Sequence, residues 1–322
     1  MNTNAGRPVE SWQSALNIYL KEASRHVNSY TVKKYRWNFT KMFKALDEAG
    51  LESNPSTIGE KEIHFLLDVV WKNNESSTRK WYTSTFGMIL KRFGNDIIKE
   101  MGYRFPQDSR TNVDWLTPQE MVDLLDQDLS SLETIVTHLE LCIGLRNIEV
   151  KRLRLQDVHD GYMDIRGKGT DLGKWRTVPF HPDTPKVLSI WMTERNRMIA
   201  EALKYHPNIE IPDNLIIWKR YVKKPQIGAY SEESDGLTSI TTEKIRDRSG
   251  IHFANHTLRR TFGRSLWLSD CVKTETISKI YGHSNTNTTL DYIGVNLDDM
   301  SSALSALSTY QNSLKSKKKG GN

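Results

Sequence analysis

The first third of the chain repeats apolar residues at helical spacing. Within residues 9–25 an apolar side chain returns every three or four positions, which is typical of an amphipathic helix. Capping residues at Asn28–Thr31 start a second such segment, and Gly50 ends it. Two more follow over 60–72 and 77–94, and the apolar face of the last is expected to hold Trp81, Phe86, Ile89 and Phe93. Because the connections are short, the pattern predicts a small four-helix bundle.

The second and fourth of these predicted helices also carry a basic face. For a single helix, a solvated charged face over a core is the common arrangement. Two such helices in one small bundle favour contacts with the phosphates of a nucleic-acid duplex. The candidate DNA-contacting residues are Lys33, Lys34, Arg36, Lys41, Arg79, Lys80, Lys91 and Arg92.

A polar segment separates this bundle from the rest of the chain. Pro106 disfavours helix at the residue before it, and the residues that follow are mostly polar. We therefore predict a linker at 106–115, between an N-terminal domain at 1–105 and a second domain at 116–296. The last segment, 297–322, combines a basic tail with an apolar stripe made of Leu297, Met300, Leu304 and Leu307.

The second domain mixes helical periodicity with one alternating stretch. A capping box at Thr117–Glu120 starts its first helix. Residues 161–170 and 174–180 alternate on either side of a Gly-Lys-Gly turn and predict a β-hairpin. Prolines make 204–236 irregular, with either a strand or a helix around its middle. Further helices are predicted over 131–143, 184–204, 241–249, 257–268 and 277–281. The predicted fold class is mainly α with a small β-hairpin.

Composition narrows the class of partner. The 322 residues include 37% hydrophobic and 26% charged side chains, as in a globular protein with a core. A net charge of +6 and a pI near 9.1 favour a polyanionic partner. No run approaches the roughly 20 apolar residues of a membrane span. The two cysteines lack metal-ligand spacing, so we expect no zinc site and a reducing compartment, the cytoplasm or nucleoid.

The most distinctive chemistry lies in residues 281–292, where Tyr-Gly-His is followed by small polar residues, expected to form a loop, and then Tyr292. A phenol has a pKa of about 10, so a nucleophilic tyrosine needs a base and a charge-stabilised electrophile. A phosphodiester held by cations is such an electrophile. Tyr292 could instead be a core residue, and Tyr281 is the alternative nucleophile. The candidate cations and bases are Arg146, Lys168, His256 and Arg259.

These cations and bases also have structural interpretations. Arg146 and Glu149 could form a surface ion pair three residues apart on a helix. Lys168 could be a solvent-exposed turn residue, and its turn lacks the glycine spacing of a phosphate-binding P-loop. His252 and His256 have the spacing of metal ligands on a helix, but the nearby sequence offers no third ligand.

Together, the order, spacing and predicted elements of these residues resemble the tyrosine recombinase (phage integrase) family. That family has an arginine at a helix start, a lysine in a hairpin turn, His-x-x-Arg, Gly-His and then a tyrosine. The resemblance is strong over about residues 115–295, whereas the N-terminal bundle matches mainly in size and pattern. Tyr281 stands where the family usually has leucine. The matching residues are Arg146, Lys168, His256, Arg259, His283 and Tyr292, with Glu149 in support.

The resemblance implies that these seven residues act on one DNA phosphate without a metal or other cofactor. Tyr292 would attack the phosphorus, and His256 would accept the tyrosine proton. Arg146 and Arg259 would clamp the phosphate oxygens, with support from Glu149. His283 would hydrogen-bond the phosphate, and Lys168 would protonate the leaving 5′-oxygen.

The resemblance also implies an architecture and a reaction. A four-helix core-binding (SAM-like) domain and a catalytic domain would form a C-shaped clamp on double-stranded DNA, with a homotetramer on the synapse and a monomer allowed in solution. The terminal helix would pack into a neighbouring protomer or, alternatively, close its own core. The expected reaction is site-specific recombination through a 3′-phosphotyrosyl intermediate and a Holliday junction. The alternatives are a catalytically silent DNA-binding regulator and a relaxing enzyme similar to type IB topoisomerases.

Overall fold

The computed structural model describes residues 11–106, 114–167, 174–221, 223–269, 272–283, 285–294 and 299, with the backbone alone at 291 and 292. The chain divides into two compact units, Met1–Thr111 and Asn112–Asn322, and the division falls inside the predicted linker. Apart from residue 299, the predicted C-terminal helix from 297 lies outside the described residues, as does the tip of the first hairpin, including Lys168. No helix in the described parts of the chain is long and apolar enough to cross a membrane.

The first unit is the predicted helical bundle with one short helix added. Side chains of Ser11 and Asn28 cap the first two helices, and the cap at Asn28 was predicted. The third helix continues as a π-helical turn at Leu66–Val70. Its helices are α1 (Trp12–Ala23), α2 (Ser29–Glu48), α3 (Glu60–Phe65), α4 (Ser76–Arg92) and α5 (Ile97–Glu100).

Aromatic rings form the centre of this bundle. Phe43 stacks on Trp12 with ring centroids 5.4 Å apart and meets Phe86 edge-on at 5.2 Å. These large buried rings supply much of the apolar area removed from water in a unit of this size. The prediction for Trp81 is wrong, because this ring is 37% exposed and lies beneath the ammonium group of Lys34, at 4.4 Å. A cation over an indole face stabilises the exposed ring in place of core contacts.

The second unit packs helices around α7 and the first hairpin. The predicted capping box at Thr117 and Glu120 is present at the start of α6. The elements are α6 (Pro118–Leu125), α7 (Ser131–Leu141), α8 (Asn147–Arg152), β1 (Tyr162–Arg166), β2 (Trp175–Pro179), α9 (Thr184–Tyr205), β3 (Ile217–Tyr221), β4 (Pro225–Ala229), α10 (Gly236–Thr238), α11 (Lys244–Ser249), α12 (Asn255–Leu268), α13 (Thr274–Tyr281) and α14 (Thr286–Ile293).

The two hairpins are separate antiparallel pairs, β1 with β2 and β3 with β4. Met163 opposite Val178 turns the first hairpin's inner face to the core. The second hairpin shows that 204–236 is more regular than predicted, and of the two alternatives for its middle the strand is correct. Pro225 is the first residue of β4, a position where a missing N–H does not interrupt the ladder. The indole N–H of Trp218 donates to the carbonyl of Ala229 at 2.7 Å and adds a bond between the strands.

Two other local predictions are wrong. The helical stretch predicted over 241–249 begins earlier, at Gly236, and passes through a π-helical turn at Ser239–Glu243. The polar run after His283, predicted as a loop, forms helix α14. The side chain of Asn285 accepts from the N–H of Asn287 at 2.9 Å and so starts this helix, because small polar residues favour helix caps over helix interiors.

Candidate active site

Glu149 lies at the centre of a cluster of charged side chains. It is the third residue of α8, and its carboxylate accepts a hydrogen bond from the backbone N–H of Arg146 at 2.9 Å. A glutamate in the first turn favours a helix start there. The guanidinium of Arg146 donates to the same carboxylate, also at 2.9 Å. Glu149 is 1% exposed, so its carboxylate is buried, and the interpretation of the pair as a surface ion pair is wrong.

Arg176 is a second partner of Glu149, and the sequence analysis did not identify it. Its Nη1 and Nη2 atoms lie 2.9 and 2.8 Å from the two carboxylate oxygens, a bidentate pair. Its Nε donates to the carbonyl of Ile280, at the end of α13, at 2.7 Å. Strand alternation was the available signal, because Arg176 shares the inward face of β2 with the buried Val178. A cation on that face needs a buried carboxylate as its partner.

Arg259 completes the cluster from α12. Its guanidinium lies 3.6 Å from Glu149 and donates to the backbone carbonyls of Gly144 and, at 2.9 Å, of Tyr281. The side chain is 0% exposed, whereas that of Arg146 retains 18%. We call the group formed by Arg146, Arg176, Arg259 and Glu149 the cationic cup.

The charged groups of the cup shift one another's pKa values. Burial alone would raise the pKa of the Glu149 carboxyl, but the hydrogen bond and charge of Arg176, followed by the charge of Arg259, hold its pKa at about 2. Burial, and then repulsion from Arg146, lower the pKa of Arg259 to about 10. Glu149 and Arg259 are therefore both ionised at neutral pH. Three guanidinium groups share a single carboxylate, which leaves an excess of positive charge suited to an anion.

Tyr281 lies beneath the cup and is fully buried. Its ring is 4.2 Å below the guanidinium of Arg259, and its hydroxyl donates to the backbone carbonyl of the same arginine. Its own backbone carbonyl accepts from Arg259 and, at 3.4 Å, from Arg146. A phenol held in this way is a structural support, which argues against Tyr281 as the alternative nucleophile.

His283 follows a left-handed turn beside the cup. Gly282 has φ +67°, which ends α13 and turns the chain back toward the arginines. The Nδ1 atom of His283 lies 2.8 Å from the hydroxyl of Thr289, which is buried in α14. Burial, then the charges of Arg259 and Arg146, lower the pKa of His283 to about 4. The imidazole is therefore neutral at physiological pH.

Tyr292 lies in α14, three residues after Thr289, and its side chain lies outside the described residues. Lys168 also lies outside the described residues, next to Gly167, whose carbonyl accepts from Arg152 at 3.2 Å. His256 is the second residue of α12 and is exposed.

The structure therefore brings together four of the seven predicted residues, Arg146, Glu149, Arg259 and His283. His256 lies on the same helix as Arg259, one turn before it. No group of three or more histidine, cysteine, aspartate or glutamate side chains that could hold a metal occurs among the described residues.

On the first unit, the basic residues of α2 form one exposed surface. Lys33, Lys34, Arg36 and Lys41 are all exposed. Trp37, which is 61% exposed, lies among them with the ammonium of Lys41 5.5 Å from its ring.

The basic residues of α4 divide into two groups. Lys80 and Lys91 are exposed as predicted. Arg79 and Arg92 are only partly exposed, so their predicted exposure is wrong. Arg92 forms a two-pronged pair with Glu22 at 2.5 and 2.6 Å, and Arg79 donates to the carbonyl of Leu67 at 3.1 Å. Both arginines join helices of the bundle.

Comparison with known proteins agrees with this geometry. The sequence model of the phage integrase family matches residues 114–298, more than half of the chain. A comparison with curated protein sequences gave no match. Three similar solved structures illustrate the fold, which is all that likeness at these identities shows.

The first is XerH recombinase bound to a palindromic difH substrate in a post-cleavage complex, with 18% identity, a TM-score of 0.64, and coverage of 92% of this chain and 85% of that one. The second is a Tn1549 transposon integrase in complex with transposon right end DNA, with 16% identity, a TM-score of 0.61, and coverage of 91% and 99%. The third is a lambda integrase tetramer bound to a Holliday junction, with 19% identity, a TM-score of 0.60, and coverage of 92% and 81%. The family match and the arrangement of the cup show that this chain belongs to the phage integrase family of tyrosine recombinases.

Proposed function

We propose that this protein is a site-specific DNA recombinase that cleaves and rejoins DNA strands. The observation that carries the proposal is the cationic cup, in which three guanidinium groups surround one carboxylate beside the turn at His283. Fixed cations of this kind stabilise the charge that builds on a phosphate during transfer. Family membership and the DNA-bound state of the similar structures support the same function.

The proposed reaction is a transesterification. The phenol oxygen of Tyr292 attacks a DNA phosphorus while His256 accepts the phenolic proton. The bond from phosphorus to the 5′-oxygen breaks, and Lys168 donates a proton to that oxygen, which leaves a 3′-phosphotyrosine and a free 5′-hydroxyl. The 5′-hydroxyl of a partner duplex then attacks the phosphotyrosine and restores the phenol. Because each step exchanges one phosphoester for another, no external energy source is consumed.

The two family arginines hold different positions in this reaction. Arg146 keeps part of its side chain exposed, and we assign it to the first contact with the phosphate. Arg259 is fully buried beneath it, with the carbonyl of Tyr281 on its Nη2 atom. In this conformation Arg259 contributes its charge through the cup.

His283 acts as a neutral hydrogen-bonding group. Its pKa of about 4 in the protein without DNA favours a neutral imidazole at neutral pH. We assign the Thr289 hydroxyl as the donor to Nδ1, which leaves the ring proton on Nε2 for a phosphate oxygen.

The first unit supplies DNA-backbone contacts through Lys33, Lys34, Arg36 and Lys41 on α2 and Lys80 and Lys91 on α4. Their exposure supports this role. We propose that the reaction takes place in the cytoplasm or nucleoid. We assign Arg79 and Arg92 to the bundle's own packing.

An apolar groove in the second unit supports assembly into a tetramer. A cavity of about 800 Å³ is bordered by α6, α7, α9 and α12, and the exposed Leu125 and Ile190 line it. We assign this groove to the apolar C-terminal stripe of a second copy. Such a head-to-tail contact closes a ring when repeated, and a ring of four suits a synapse between two duplexes.

A nicked duplex tests the proposal, because the short cleaved strand diffuses away and traps any covalent complex. The duplex is selected for binding from a random library, and the products are separated on a denaturing gel. We expect a covalent adduct that Tyr292→Phe abolishes and that Tyr205→Phe, at an exposed tyrosine of α9, leaves intact. Absence of an adduct would indicate a DNA-binding regulator, and an adduct without junctions between two duplexes would indicate a relaxing enzyme.

A further inference from the structure

Outside the cationic cup, one buried carboxylate joins the start of α8, which directly follows Arg146, to the start of α12, which carries Arg259. Glu140, near the end of α7, is 0% exposed. Its Oε1 atom lies 3.1 Å from the amide nitrogen of Asn147, the first residue of α8. The amide nitrogen of Asn255, the first residue of α12, lies 2.9 and 3.0 Å from its two oxygens.

The two asparagines stand beside residues of the site. Asn147 directly follows Arg146, and Asn255 directly precedes His256. A shift of either helix start would therefore move a residue of the proposed reaction. On the cup side, the same two segments are joined by the hydrogen bond from Arg259 to the carbonyl of Gly144. The carboxylate of Glu140 fastens them at a second point.

Burying this carboxyl is unfavourable, so stability alone does not account for it. Burial raises the pKa of Glu140 to about 7, and the hydrogen bonds from Asn255 and Asn147, followed by the charge of Lys151, only partly oppose that rise. An apolar side chain of similar volume often stabilises a fold better than a buried charged group does. A carboxylate, in contrast, can accept from both amides at once and so fix the spacing of the two helix starts.

We propose that Glu140 is a positioning residue, which sets the placement of Arg146 and His256 by bridging Asn147 and Asn255. The inference rests on the proposed strand cleavage, because its effect is on the rate of that step. Displacements of about 1 Å in a reacting group can lower a rate by about a hundredfold. Both asparagines are partly exposed, so water can satisfy their amides when the carboxylate is removed and the fold can survive.

The test compares Glu140→Leu and Glu140→Gln with Glu133→Gln. Glu133 is a buried glutamate in the same helix. Its carboxylate accepts from the backbone N–H of Ser130 and from Arg248, neither of which belongs to the cup. On saturating nicked DNA, we expect Glu140→Leu to slow adduct formation by about ten- to a hundredfold, with DNA affinity nearly unchanged. Glu140→Gln keeps one carbonyl acceptor and should recover part of the rate. Glu133→Gln should lower thermal stability without a comparable loss of rate.

A double-mutant cycle identifies the route of the effect. If Glu140 acts through Asn255, then Asn255→Ala slows the wild-type protein but adds little in the Glu140→Leu background. Amide hydrogen exchange supplies a readout that does not need cleavage, and we expect faster exchange at both 146–150 and 255–259 in Glu140→Leu.

A wild-type rate in Glu140→Leu, or additive effects in the cycle, would overturn the inference while leaving the proposed function intact. If the wild-type protein forms no adduct, the proposed function fails, and hydrogen exchange then tests whether Glu140 positions the two helix starts. Unchanged exchange at both helix starts would then overturn the inference as well.

Discussion

Tyr281 and Gly263 show how closely single residues are fitted beneath the cup. The phenol of Tyr281 donates to the carbonyl of Arg259, and Gly263 lies one turn further along α12. A Cβ atom at Gly263 would lie 2.8 Å from two carbon atoms of the tyrosine ring and closer still to its hydroxyl. Tyr281 is larger than the leucine that is usual in the family, and its ring fits only because residue 263 is glycine.

We expect Gly263→Ala to lower the free energy of unfolding by about 1–3 kcal/mol, because overpacking forces neighbouring groups to shift. Alanine elsewhere in a helix usually stabilises it relative to glycine. Combining it with Tyr281→Leu should remove the clash, so the double variant should be more stable than the sum of the single effects. Gly236→Ala, which has a clearance of 3.6 Å, is the control. Additive effects in chemical denaturation would contradict this packing account.

Glu140 makes a prediction about pH. Its pKa in the folded state is raised to about 7, so the native state holds the proton of Glu140 more tightly than the unfolded state does. The resulting stability is present below the unfolded pKa of about 4.5 and is lost as pH rises through about 7. Between pH 5 and 8, the wild-type protein should therefore lose stability relative to Glu140→Gln, by at most about 3 kcal/mol. Denaturation curves at the two pH values measure this, and a constant difference would show that Glu140 does not titrate in that range.

At the scale of elements, Arg176 joins three of them. It connects β2 to α8 through Glu149 and to the end of α13 through the carbonyl of Ile280. In the sequence Lys168 follows β1, which pairs with β2, so Arg176 ties this hairpin to the rest of the site.

We expect Arg176→Lys to slow adduct formation by about tenfold or more, because an ammonium cannot make the two-pronged contact and also reach Ile280. Arg154→Lys is the control, since Arg154 forms an exposed pair with Asp213 at 3.3 Å. Single-turnover kinetics on nicked DNA measure both variants. Equal rates in the two would mean that the link from β2 has no part in placing the cup.

The sequence predicted the elements that depend on a regular apolar pattern. Helices α1, α2, α7, α9 and α12 and the first hairpin follow from periodicity and capping residues. The second hairpin was missed because the prolines of 204–236 indicate irregular structure. Pro225 is nevertheless compatible with the first position of a strand. Helix α14 was missed because its residues are small and polar, and its stability comes from tertiary contacts such as that between Thr289 and His283.

The site divides in the same way. Motif order identified Arg146, Glu149, Arg259 and His283, which the structure brings together. Arg176 and Glu140 have no motif of their own, because their partners are far away in sequence and only the folded chain brings them together. Sequence also could not show that Arg92 is used within the bundle, since its partner Glu22 lies 70 residues earlier.

At the scale of the whole molecule, assembly should be separable from strand cleavage. We expect the double variant Leu125→Asp and Ile190→Asp to form the covalent adduct but no Holliday junctions, because charges in the apolar groove oppose docking of a second copy. Val69→Asp, at an exposed apolar residue of the first unit, is the control. Junction formation between two labelled duplexes is the measurement. A normal yield of junctions in the groove variant would show that the groove has no part in assembly.

The most direct test of the central claim is to identify the amino acid that becomes attached to DNA. The trapped complex is digested with protease and nuclease, and mass spectrometry locates the nucleotide-bearing residue. The account predicts a phosphotyrosine at Tyr292 whose phosphate is joined to a 3′-oxygen of the DNA. Attachment at Tyr281 or another residue, or linkage to a 5′-oxygen, would contradict it.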